Sequence, residues 1–147
     1  QAMVIEGLDI NTPIIGDGTA LMIAVKKDQR ELVDALIYMG ADVNQASQRD
    51  GNPLIIAAKR NNLVLAQRLL DQGADVNGIV INDETALINS SWRGHLAMTR
   101  LLVEQGADVN LAVRTGFGDG YKLRSPLNMA RQTNIKEYLI SMGAVED

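Results

Sequence analysis

Ser91 and His95 stand four residues apart, so on one continuous helix they would share a face, as a nucleophile and its general base require. His95 is the only histidine of the chain, so no second imidazole offers an alternative base. The carboxylates Asp42, Asp75 and Asp108 recur at one fixed interval, which marks them as turn formers rather than a converging acid–base pair. One histidine and no cysteine cannot supply the nitrogen and sulfur ligands of an ordinary zinc site, and no calcium-loop motif is present. Gly116-Phe117-Gly118-Asp119-Gly120 has the glycines of a phosphate cradle. It lacks the strand before it and the Lys-Ser/Thr and helix start after it, so a flexible hairpin tip is the expected form. The reading is a chain without catalytic residues, metal or cofactor.

The elements that would hold these residues are set first by size and composition. A chain of 147 residues with 46% apolar content can bury one continuous core, as a single globular domain or a short solenoid. A net charge of −4 lacks the excess of Lys and Arg that marks a nucleic-acid binder, so any basic surface must be local. The longest apolar stretches, such as residues 52–58, are far too short to span a bilayer, and no leader resembling a signal peptide is seen. No direct membrane insertion is expected. A cytoplasmic location is the expectation, although the absence of cysteine is compatible with a periplasmic or other extracytoplasmic parent protein.

Self-similarity is the main signal. Gly-Ala-Asp-Val-Asn occurs at Gly40–Asn44, Gly73–Asn77 and Gly106–Asn110, each 33 residues from the last, with a weaker copy at Gly7–Asn11 and a remnant at Gly143-Ala144-Val145. Thr19, Asn52, Thr85 and Ser125 each precede a short helical pattern that their side chains can cap, and Pro53 and Pro126 suit a first helical turn. A second helix follows, with Leu32, Val33, Leu36 and Ile37 matched by Leu65, Ala66, Leu69 and Leu70. Gly40, Gly73, Gly106 and Gly143 read as helix C-caps.

These motifs, with Ala57-Ala58 and Gly94-His95, resemble the ankyrin repeat over nearly the whole chain. The resemblance implies an all-α solenoid of stacked helix-turn-helix units with β-hairpin-like finger loops, and it puts His95 in the turn between two helices. Met22, Ile55, Ile88 and Asn128 replace the histidine of the family's Thr-Pro-Leu-His motif, so the hydrogen bonds of that histidine are not expected here. Residues 1–147 are read as one domain. It comprises the tail of an incomplete repeat at 1–16, repeats at 17–49, 50–82 and 83–121 with an extended finger at 111–124, and a capping repeat at 122–147. Asn128, Arg131, Gln132 and Thr133 are assigned to the first helix of that cap, as its wetted face. Met3 and Val4 are expected to lean on an element further upstream, and the start at Gln1 suggests a larger parent protein.

The resemblance also implies that first helices line a concave face beside the fingers and that partners meet that face. Lys26-Lys27, Lys59-Arg60 and Trp92-Arg93 follow the apolar part of each first helix, and five of these six residues are basic. Arg49, Lys122 and Arg124 add to them from the fingers, while Asp17, Asp50, Asp83 and Glu84 dilute them. Trp92 is read as an exposed contact residue. The alternative is that it folds over its own helix pair and covers Asn89, whose amide is expected to bond a neighbouring backbone group. Ile14-Ile15 and Ile79-Val80-Ile81 place apolar residues in fingers, as contact surface or as packing between fingers. The long finger carries Phe117 and Tyr121 among glycines, as an adaptive contact or a disordered loop.

The expected function is a non-enzymatic module binding a partner protein, with an acidic surface or peptide as the suited partner. The alternative is a regulatory appendage of a larger enzyme or membrane protein, acting by intramolecular contact. A Ser91–His95 hydrolase and a nucleic-acid binder rank below both. A monomer is expected, with the N-terminal edge open to an upstream segment. In a eukaryotic setting the resemblance further implies hydroxylation of Asn44, Asn77 or Asn110.

Overall fold

The computed structural model describes residues 9–116 and 118–146. The expectations for Met3, Val4 and Phe117 fall outside these residues. Among the described residues, eight α-helices alternate between two layers. The inner layer holds α1 (Ala20–Lys26), α3 (Pro53–Lys59), α5 (Ala86–Arg93) and α7 (Pro126–Met129), and the outer layer holds α2 (Arg30–Tyr38), α4 (Leu63–Asp71), α6 (Leu96–Glu104) and α8 (Thr133–Ser141). Successive inner helices pack closely on one another, and the outer helices touch each other less.

None of these helices is long enough to persist alone in water, so the stack itself must hold them. Each inner helix starts at a side-chain cap. Thr19, Asn52, Thr85 and Ser125 accept hydrogen bonds from the backbone amides of Met22, Ile55, Ile88 and Asn128. The inner helices are enclosed by neighbours, so α3 buries every residue from Pro53 to Ala58. The outer helices bury one stripe, such as Leu65, Ala66 and Leu69 of α4. Met22, Ile55 and Ile88, at the place of the missing histidine, are wholly buried apolar residues, and Asn128 completes a capping box with Ser125 instead.

The Gly-Ala-Asp-Val-Asn string acquires one task per residue. The glycine is left-handed, with φ of 99° at Gly40 and 95° at Gly73, and stands one residue beyond the C-caps Met39 and Gln72 rather than being the cap itself. Ala41 and Val43 are buried. The aspartate closes its own turn: Asp42, Asp75 and Asp108 accept from the amides of Asn44, Asn77 and Asn110 at 2.9–3.0 Å. The asparagine reaches into the next unit. Asn11, Asn44 and Asn77 accept from the amides of Asp42, Asp75 and Asp108 at 2.7–2.8 Å, and Asn110 accepts from Val145 at 3.0 Å.

The fingers between units are tight turns closed by single bridges, Ile14 with Gly18, Ser47 with Gly51 and Val80 with Glu84. The extended finger is a true antiparallel hairpin of β1 (Val113–Thr115) and β2 (Lys122–Arg124). In the last unit α7 stops at Met129, because Ala130 turns to extended backbone. Arg131 and Gln132 therefore lie beyond the first helix, where the sequence pattern had placed them, and Thr133 opens α8. No helix among the described residues is long and apolar enough to cross a membrane.

Candidate partner-binding face

The basic positions at the C-terminal ends of the inner helices divide into two ladders. Lys26 and Lys59 are half-buried and turn to the finger of the next unit. The Lys26 ammonium lies 2.9 Å from Asp50 and also donates to the Asp17 carbonyl, and Lys59 is paired with Asp83 in the same way. These two cations therefore join neighbouring units and are largely neutralised.

Lys27, Arg60 and Arg93, each 33 residues apart, form the second ladder. All three are exposed, and no carboxylate of the described residues lies within ion-pair distance of them. Lys27 and Arg60 are C-caps and Arg93 ends α5, so the negative ends of the helix dipoles favour these cations where they stand. Asp28, beside Lys27, is held by others: it accepts from Asn62 at 2.9 Å and from Arg30 at 3.1 Å. Those hydrogen bonds, that of Asn62 first, lower the Asp28 pKa below the usual 3.8.

Trp92 occupies the third position of the first ladder, 33 residues after Lys59. Its natural acidic partner is missing. Asp17, Asp50 and Asp83 stand two residues before the caps Thr19, Asn52 and Thr85, whereas Leu123 stands two before Ser125. The indole is 39% exposed, and the guanidiniums of Arg93 and Arg131 lie 5.3 and 5.6 Å from its centroid. Trp92 is thus a surface residue in contact with the last unit. Asn89 needs no cover from it, since its amide donates to the carbonyls of Asp83 and Thr85.

The finger residues have mixed fates. Arg49 is exposed, as are Ile15 and Ile81 at the finger tips, while Val80 is buried beneath its finger. Arg124 is ion-paired at 2.6 Å with Glu84, whose carboxylate is nearly buried. Tyr121 is half-exposed, with the Arg114 guanidinium 4.1 Å from its ring. Lys122 is exposed and lines, with Thr115, Glu84 and Arg124, a cleft of about 420 Å³ between the third finger and the hairpin. The sequence reading missed Arg131 on Trp92, because the placement depends on where α7 ends. It also missed an apolar groove of about 580 Å³ between α4 and α6, lined by Leu63, Val64, Ala97 and Leu101.

Ser91 and His95 do not form a couple. Ser91 is wholly buried, and among the described residues its Oγ is the one buried side-chain polar atom without a hydrogen-bond partner. His95 donates from Nδ1 to the Ala58 carbonyl of the preceding unit at 3.1 Å, which fixes the ring as an inter-repeat brace.

Compared with known families, residues 21–113 match a model described as ankyrin repeats in three copies. No curated protein matches the chain.

Proposed function

The chain belongs to the ankyrin-repeat family, whose members are generally protein–protein interaction modules, and from that premise we propose that it binds a partner protein along the inner-helix ends and the fingers beside them. The observation that carries this reading is the ladder of Lys27, Arg60 and Arg93. Stacked equivalent helices put equivalent positions on one face, and here that face presents three exposed cations without a counterion among the described residues, on a chain of net charge −4. Long exposed side chains of one sign at fixed spacing steer and orient a partner of the opposite sign. Exposed Ile15 and Ile81 supply apolar contact at the finger tips.

The test is a partner recovered by affinity capture, then measured against the purified chain. Arg60→Glu combined with Ile81→Asp is expected to weaken binding at least tenfold at low salt and less at high salt, because screening removes the steering component. Tyr38→Asp, on the outer helix α2 and 93% exposed, is expected to leave binding unchanged. The reverse pattern would move the binding face to the outer layer.

A further inference from the structure

The alternation of Lys and Asp that joins the first three units stops at one place. At the junction of the third and last units a tryptophan stands for the lysine and Leu123 for the aspartate, so no carboxylate of the described residues neutralises Arg93 or Arg131. We propose that this junction, Trp92 with Arg93 and Arg131, is the docking point for an acidic segment of the partner protein, whose carboxylates pair with the two guanidiniums while its backbone covers the indole. The proposal rests on the partner-binding reading of this face and narrows it to one end.

Three features support the assignment. Two guanidiniums lie over a single indole with no carboxylate partner among the described residues, and a planar fork of donors fits a carboxylate better than any other side chain does. The arrangement is also pre-organised. Gly94 is left-handed at φ 79°, and a Cβ there would meet the Gln132 amide nitrogen at 2.4 Å, so the absent side chain lets the Arg131–Gln132 link settle against the end of α5. Cations already placed lose less freedom on binding. Finally, Lys26 and Lys59 are occupied by Asp50 and Asp83, which removes both lysines of the first ladder from competition for the same ligand. Overall acidity and these flanking carboxylates favour a polypeptide over a nucleic acid, whose phosphates run continuously.

Trp92 is the chain's single tryptophan, so its emission reports on this junction alone. The purified chain is titrated at low salt with a blocked octaglutamate peptide, with an octaglutamine peptide and a single-stranded oligonucleotide as comparisons. A saturable change in Trp92 emission with octaglutamate, absent with octaglutamine, is expected. Arg93→Gln and Arg131→Gln should each weaken it about tenfold and Arg131→Glu further, with unchanged helical circular dichroism, while Lys136→Gln, at an exposed position of the outer helix α8, shifts it less than about twofold. No saturable change, equal losses for Lys136→Gln and Arg131→Gln, or tighter binding of the oligonucleotide would overturn the proposal. The captured partner separates this from the broader reading. If Arg60→Glu with Ile81→Asp abolishes partner binding but Arg93→Gln with Arg131→Gln does not, the face stands and the junction falls. If neither pair matters, both fall.

Discussion

Asn77 shows how much one side chain of the repeat motif carries. Its oxygen accepts from the Asp108 amide of the next unit while its own amide is held by Asp75. Asn77→Ala leaves the Asp108 amide to water and should cost about 1 kcal/mol in denaturant unfolding. Ser91→Ala has the opposite sign. The Oγ is buried without a partner, and Ala58 holds the equivalent position in the second unit, so the alanine variant should gain about 1 kcal/mol, read as a higher denaturation midpoint. Asp28 ties two units through Asn62. Its folded pKa lies below the unfolded value, so its contribution to stability is full above that value and fades as pH falls through the folded one. Asn62→Ala should move the Asp28 titration, followed by carboxyl NMR, upward toward 3.8.

At the scale of the element, the turns between paired helices share one left-handed position, filled by Asp28 at φ 52°, Asn61 at φ 54° and Gly94 at φ 79°. Asparagine and aspartate tolerate this region better than branched residues do. Gly94→Asn should therefore cost well under the roughly 1–2 kcal/mol of Gly94→Val in thermal unfolding. Relieving the Gln132 contact with Gln132→Ala should recover only part of the valine's cost, since the strain of positive φ remains. Caps, helix pairs and turns were legible in the sequence because each depends on residues close in the chain, as Thr19, Asn52, Thr85 and Ser125 show. The end of α7 was not. Arg131 and Gln132 continue a polar helical pattern, and only the extended backbone of Ala130 stops it.

For the whole molecule, the 33-residue interval was sufficient to identify the stack, since every unit repeats the same local solution and needs only its neighbours. The proposed binding face was half legible. The basic pairs were visible as pairs, but neighbouring residues point differently, so Lys26 and Lys59 disappear into ion pairs while Lys27 and Arg60 stay exposed, with no ion pair among the described residues. That division depends on fingers 24 residues further on, beyond any local pattern. Leu69, buried at the centre of α4, belongs to this scale as well. Leu69→Ala should cost about 2–5 kcal/mol and lower hydrogen-exchange protection in the units on both sides.

The polar interior of α5 sets where such a chain of neighbours gives way. The first two units pack Ile23-Ala24-Val25 and Ile56-Ala57-Ala58, but the third packs Asn89-Ser90-Ser91, with one hydroxyl unpaired. Cohesion between the second and third units therefore combines the close packing of α3 on α5 with directional bonds across the seam, from His95 to Ala58 and from Lys59 to Asp83. Stretched from its two ends after Lys59→Gln has removed the ion pair across that seam, the stack should part there, the last two units coming away together because Glu84 and Arg124 clasp them across the hairpin. A force-extension trace would then show two steps of unequal length, and Arg124→Gln would split the longer one.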